Sequence, residues 1–300
     1  MVEALSGTWT RWVPGYGLLP RVCDRPGCKG PRAARLWRKR SAVRMEGSWF
    51  CSSQCVEREV EPVFDRILSQ PEHPGPSHHR LPLGLLMLSR GLVGENQLRT
   101  ALSAQHAAQR GKIGQWLQGL GFVTERQVVT ALALQWACPV LAFPAETERH
   151  DMVPSPILRS RRMMPVRFAA STRVLYVAFS TQVDHTVLYA LEHMLDCQAS
   201  PCVVSDATMD GWLRRTETPG KSTAHLFERM TDPVEMARIT GSYIARLSAE
   251  EVRVVKCRPY VWVRLRSSRR VTDLLFATAA DQNSQTFLDS FSRNSSLIAG

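Results

Sequence analysis

Apolar positions along this chain change their period several times, and each change marks an element. Val56–Leu68 reads as a helix. Leu98, Ala101 and Leu102 fall at i, i+3 and i+4, as do Val128, Ala131 and Leu132, which predicts two longer helices with one apolar face each. Gln105 and Gln135 follow at i+7, so each face carries an amide that is either a helix-end hydrogen-bonder or a reader of a ligand edge. Further on the period shortens. Met164–Ala170 and Val174–Phe179 flank Ser171-Thr172-Arg173 and predict a hairpin. His185–Leu195 reads as a helix, Pro201–Val204 as a strand and Ala207–Arg215 as another helix. Asp232-Pro233-Val234-Glu235 supplies an N-cap, a proline at the first helical position and an acid for a reciprocal cap, predicting a helix to about Leu247. Glu251–Cys257, Tyr260–Arg266 and Val271–Ala277 then read as three strands, with Pro259 separating the first two.

The helical stretch is repeated. Sliding Gly84–Gln105 by 30 residues onto Gly114–Gln135 gives 9 identities in 22 positions, among them Gly84/Gly114, Gly91/Gly121, Ala101/Ala131 and Gln105/Gln135. Ordinary composition would give about one or two. Each copy reads as a short helix, a glycine turn and a longer helix. Gly91 and Gly121 suit the left-handed position after a helix end, and Thr124 with Gln127 has capping-box spacing.

Cysteines add chemistry ahead of the repeat. Cys23 and Cys28 form a C-x4-C pair, and Cys51 and Cys55 a C-x3-C pair after 22 intervening residues. Two short-spaced thiolate pairs are the usual way to build a tetrahedral zinc site. The first holds a turn, Arg25-Pro26-Gly27; the second runs from Phe50 into the Val56–Leu68 helix. A knuckle followed by a pair at a helix start resembles treble-clef zinc fingers. Four thiolates leave zinc no open position, so the expected metal is structural. Ordinary thiols or disulfides are the alternative. Cys138, Cys197, Cys202 and Cys257 lie in apolar segments and read as core thiols.

The net charge of +11 matters once it is located. Between Arg21 and Arg44, nine basic residues stand against Asp24 alone, which places +8 of the total in that stretch. The run suits nucleic acid, with Arg38, Lys39 and Arg40 as its densest part, or a solvated loop. No apolar stretch approaches the ~20 residues of a membrane helix, and Met1–Pro20 lacks the pattern of an export signal. The expected location is cytoplasmic.

With these motifs in place a family resemblance can be stated. The pattern Leu83-Gly84…Gly91-Leu92-Val93…Leu98…Ala101-Leu102…Gln105 is followed by Ile113-Gly114…Gly121-Phe122-Val123…Val128…Ala131-Leu132…Gln135. Together they resemble the MshEN domain, the N-terminal part of type II secretion and type IV pilus assembly ATPases (the GspE N-terminal domain family), through about residue 215. The resemblance implies secretion or pilus machinery as partner and cyclic di-GMP as ligand. Its implied contacts are Leu83, Gly84, Gly91, Leu92, Gln105, Lys112, Ile113, Gly114, Gly121, Phe122 and Gln135. The family's motif opens each copy with an arginine, where this chain has Pro82 and Lys112. Neither offers a planar guanidinium, so the fold is expected and ligand binding is left open.

The expected fold is α+β and multidomain: a small four-cysteine zinc finger, a helical tandem repeat, a small α/β subdomain, and a C-terminal helix with antiparallel strands. The boundaries are 1–69 for the zinc segment, 70–79 for a proline-rich linker, and 80–215 for the MshEN-like domain, with repeats in 80–142 and an α/β part in 143–215. A second linker covers 216–230, a small α+β domain 231–280, and a disordered tail 281–300. Gly220-Lys221-Ser222 mimics a phosphate loop, but Arg215 stands where its first glycine belongs. No catalytic constellation is readable and no ATPase core is found, so a non-enzymatic regulatory or scaffold protein is expected. A zinc-finger nucleic-acid-binding protein is the alternative.

Overall fold

Glu46-Gly47 joins two three-residue strands with both residues at positive φ, +48° and +85°, the geometry of a two-residue hairpin turn. This hairpin, β1 (Val43–Met45) and β2 (Ser48–Phe50), delivers Cys51 to the start of helix α1 (Ser53–Ser69), where Ser52 caps by accepting from the Cys55 N–H. The computed structural model describes residues 23–28, 42–70, 80–141, 150–216 and 224–278. The basic residues Arg38, Lys39 and Arg40, residues 71–79 of the linker expected at 70–79, Gly220-Lys221-Ser222 and the tail 281–300 lie outside them.

The repeat forms two helix pairs: α2 (Leu83–Ser89) with α3 (Glu95–Ala108), and α4 (Ile113–Gly119) with α5 (Glu125–Trp136). Both short helices end in the same way. Gly91 (φ +67°) and Gly121 (φ +72°) take the left-handed position. Leu92 N–H then reaches back to the Met87 carbonyl, and Phe122 N–H to Leu117, each at 2.9–3.0 Å. Thr124 and Gln127 form the expected capping box, while in the first copy Gly94 leaves only the half made by Gln97. Met87, Val93, Leu98, Ala101, Leu117, Val123 and Ala131 are the core of this unit. Leu102 is not part of it: the side chain is 48% exposed, because the core stripe on α3 runs through Leu98 and Ala101.

A three-stranded sheet follows, in the order β3 (Met163–Ala169), β4 (Val174–Phe179), β5 (Gln198–Val203), with β4 and β5 parallel. Helices α6 (Ser155–Arg161), α7 (His185–Leu195) and α8 (Asp206–Arg215) accompany it. The strand read as Pro201–Val204 starts three residues earlier, at Gln198.

The second sheet corrects the sequence reading most. Its order is β2-β1-β7-β8-β9-β6, with β6 at Ala224–Phe227, β7 at Glu251–Cys257, β8 at Tyr260–Arg266 and β9 at Val271–Ala277. The last three are antiparallel as expected, but β1 pairs parallel with β7 and β6 parallel with β9, so the sheet is mixed. Part of the stretch read as the linker 216–230 is therefore its edge strand. The four residues of β6 are too few to show a period. The four-cysteine segment and the C-terminal strands, read as separate modules, share this sheet and one core. Val56, Val60 and Phe64 of α1 pack with Met236, Ala237 and Ile244 of α9 (Pro233–Leu247), and with Val252, Val254, Val261, Val263, Leu274 and Phe276. Alternate positions of the same strands, Cys257, Tyr260, Trp262, Leu275 and Ala277, face the core of the 150–216 unit. Asp232 caps α9 through Val234 N–H, but Glu235 does not reciprocate; it lies 3.6 Å from Arg238.

On the face of the sheet turned towards the 150–216 unit lies a buried polar network. Asp273 accepts from Arg264 Nε at 2.7 Å, Arg264 Nη2 at 2.8 Å and Trp262 Nε1 at 2.7 Å. Arg264 Nη2 also reaches the Met152 carbonyl at 2.7 Å, tying the sheet to the neighbouring unit. Burying such a pair is tolerable because its polar groups are satisfied. No helix among the described residues is long and apolar enough to cross a membrane.

Candidate functional site

The knuckle is held to the hairpin by backbone geometry before any metal is considered. Gly27 takes φ +66°, Cys28 N–H bonds to the Arg25 carbonyl, and Asp24 exchanges two hydrogen bonds with Trp49, at 2.9 and 2.7 Å. This brings Cys23 and Cys28 against Cys51 and Cys55, whose spacing spans the entry into α1. All four sulfurs lie within 4.8 Å of one another, with Cys28–Cys51 and Cys51–Cys55 at 3.6 Å and Cys28–Cys55 at 3.8 Å. Thiolates bound tetrahedrally at ~2.3 Å stand about 3.8 Å apart, so the donor set has the size and softness of a divalent thiophilic ion's shell. None of the four is in a disulfide.

Electrostatics set the state of these thiols before any ion binds. Burial, and then hydrogen bonding with Cys55, Cys28 and Cys23, pushes the Cys51 thiol up to about 12. Burial likewise raises Cys23. Without a cation these thiols stay protonated, and a divalent ion must displace the protons as it binds. Arg25 Nη1 lies 3.8 Å from Cys55 Sγ, and that contact raises its own pKa. A four-thiolate divalent centre would carry a net double negative charge, which this guanidinium would partly balance. With every coordination position filled by sulfur, the centre would shape the chain and could not activate water. The remaining thiols are packing groups: Cys202 and Cys257 are buried, and burial raises each to about 12.

The residues implied by the repeat divide into three groups. Gly84 and Gly114 are buried where the two copies cross. A Cβ on Gly84 would stand 2.8 Å from Leu98 Cδ1 and 3.6 Å from Ile113; on Gly114 it would stand 2.9 Å from Val128 Cγ1 and 3.4 Å from Leu83. Their bare faces are occupied by the chain's own side chains. Leu83, Leu92, Ile113 and Phe122 are half-buried against the same core, while Gly91 and Gly121 sit exposed at the turns.

The glutamines resolve their own ambiguity by a reciprocal exchange. Gln105 Nε2 of the first copy donates to the Gly111 carbonyl at the head of the second, at 2.9 Å. Gln135 of the second donates to the Leu81 carbonyl at the head of the first, at 2.8 Å. Positions 81 and 111 are equivalent in the repeat, so the two clasps are related by a pseudo-two-fold. They hold the segments that lead into Pro82 and Lys112.

Those leading positions have diverged. Lys112 Nζ lies 3.8 Å from Asp206 Oδ1, and Gln115 donates to the same carboxylate at 3.1 Å. Arg162 joins them, 3.2 Å from Asp206 and 2.7 Å from Asp210. Burial lowers the Lys112 pKa; burial also opposes ionisation of Asp206, but the donors and cations around it prevail and hold it below its ordinary value. In the first copy Arg80, two positions ahead of Pro82, stacks on Trp136 at 4.1 Å and donates to the Gln135 carbonyl at 2.7 Å. An open groove of about 760 Å³ borders the second leading segment, with Arg99, Leu102, Gln105, His106 and Arg110 among its walls. Sequence reasoning gave no sign of the Asp206 cluster. Its members are scattered over three elements, and only the fold brings them together.

No family model matches the chain, and no curated protein does. Among solved structures the chain is similar to a structure of MshE with cdg, at 27% identity and a TM-score of 0.38, the match covering 45% of this chain and 99% of that one. It is also similar to the N-terminal domain of XpsE in two crystal forms. These are 18% and 15% identical, with TM-scores of 0.33 and 0.26, and cover 44% and 49% of this chain.

Proposed function

We propose that this chain is a non-enzymatic regulatory scaffold that couples a structural zinc centre to an MshEN-like ligand domain, serving secretion or pilus machinery. The observation that carries the reading is the pair of reciprocal glutamine clasps, which gives two equivalent leading segments related by a pseudo-two-fold. Cyclic di-GMP, itself two-fold symmetric, is the ligand such a pair suits. Zinc is the ion that the four-sulfur cluster suits. The scaffold role is supported by how the units are joined. The zinc segment shares a sheet with the C-terminal strands, and that sheet packs on the 150–216 unit.

Because the leading residues are Pro82 and Lys112, the ligand would be held asymmetrically. The second copy offers an ammonium that must first leave Asp206, and the first has no cation at its leading position, Arg80 two residues ahead being stacked on Trp136. Calorimetry of the folded, zinc-replete chain with cyclic di-GMP tests this. The expected result is saturable binding at tens of micromolar ligand, weakened by Lys112→Ala. A flat titration removes the ligand and leaves a scaffold that works by protein contact alone.

A further inference from the structure

We infer that the four-cysteine centre is the clasp of a discontinuous domain, so that its metal occupancy sets the order of β7 and α9 near the other end of the chain. The inference rests on the zinc reading above and extends it to regulation. Beyond the core packing of α1, the strand pairing that seats the hairpin on the sheet is short. β1 is three residues long and meets β7 at only two register positions, Arg44 opposite Glu251 and Met45 opposite Val252, with one further bond from Arg44 N–H to the Glu250 carbonyl. A strand pair that short is not stable alone.

The knuckle touches the hairpin through Asp24 and Trp49, and its sulfurs meet those at the entry to α1. The ion therefore fixes hairpin, knuckle and helix start to one another. What that helix covers belongs to the C-terminal segment. Its Glu57 lies across the bare face of Gly241 in α9, where an added Cβ would stand 2.7 Å from the carboxylate. Its Phe64 meets Phe276 of β9 edge to face at 5.8 Å, and its last turn accepts Lys256 Nζ of β7 at the Ile67 carbonyl, 2.6 Å away. Glu46, at the hairpin tip, accepts from Val254 N–H of β7 and pairs with His193 of α7 at 3.0 Å. Loss of the ion frees the end of α1 that faces the knuckle, and the apolar face of β7 and α9 loses its cover. The repeat helices have a separate core and are independent of it.

Hydrogen exchange of the full reduced chain, zinc-loaded and chelator-stripped, tests this, with zinc content measured on the same samples. Stripping is expected to lower protection of 233–247 and 251–257 and to lower the first melting transition by more than about 10 °C. Protection of 95–108 and 125–136 is expected to persist, and reloading zinc is expected to restore the rest. Zinc held at one per chain with losses confined to 23–55 overturns the inference but not the zinc reading, and so do losses that spread through the repeat helices. A chain that holds no zinc overturns both.

Discussion

Replacing Asp273 by alanine attacks the polar network that ties the six-stranded sheet to the 150–216 unit. The carboxylate is 9% exposed and its partner Arg264 7% exposed, and it accepts three hydrogen bonds of 2.7–2.8 Å. Truncation strands a buried guanidinium, which keeps the Met152 carbonyl as an acceptor but loses its counter-charge, and it orphans the Trp262 N–H. An uncompensated buried charge costs about 3–5 kcal/mol, and an orphaned donor ~1–3 kcal/mol, part of which is the same loss. The expected destabilisation is therefore about 4 kcal/mol, read as a shift in the urea midpoint of the sheet's transition at unchanged slope. Replacing both residues, Arg264→Met with Asp273→Leu, removes the charge together with its need for a partner. That double variant should recover the share of the loss due to the stranded charge, the Trp262 N–H remaining unpaired. If Asp273→Ala shifts stability by less than about 1 kcal/mol, or the double variant is worse than the single, the reasoning about a buried, mutually satisfied charge pair is refuted.

The crossing glycines of the repeat should rank by the stiffness of what they face. Gly114→Ala meets β-branched Val128 at 2.9 Å and should cost up to about 2 kcal/mol net of the alanine's helix preference; Gly84→Ala meets the mobile end of Leu98 and should cost less, and thermal melts of the two variants check the order. Gln105→Ala and Gln135→Ala each remove one clasp and should destabilise by a similar ~0.5–1.5 kcal/mol, with additive losses in the double variant measured by denaturant titration. Stability should fall in alkali. Cys202 and Cys257 are raised to about 12 in the folded chain from an ordinary 9.0, so the unfolded chain binds fewer protons between those values. Their contribution is fully present below about pH 9 and is lost as pH rises towards 12; Cys257→Ala should flatten the slope of melting temperature between pH 8 and pH 10, and an unchanged slope would contradict the assignment.

The elements most legible in the sequence were those whose signals are local. α9 and β7–β9 stand where capping residues and alternation put them, because Asp232-Pro233 and the clean strand runs act within a few residues. The repeat was legible for a related reason: each copy states the same turn, and Gly91 and Gly121 can serve it with positive φ. Long-range pairing was not legible. Nothing in Val43–Met45 says that it will lie beside Glu251, and Ala224–Phe227 carries no period by which to be read as a strand. Leu102 shows the limit of a face drawn from spacing alone. It lies beside the stripe and falls on the solvent side once α3 settles on Leu98 and Ala101. At the candidate centre the four cysteines were readable from spacing, whereas Arg25 as the cation beside Cys55 depends on how the knuckle turns. Asp206 as the partner of Lys112 depends on how two units meet.

The measurement that bears most directly on the account is metal content with the coordination shell of the reduced chain. One zinc per chain with four sulfur neighbours at ~2.3 Å by X-ray absorption is the expected result. A shell containing nitrogen or oxygen, or protein that folds fully with no metal bound, would contradict a closed centre built from Cys23, Cys28, Cys51 and Cys55.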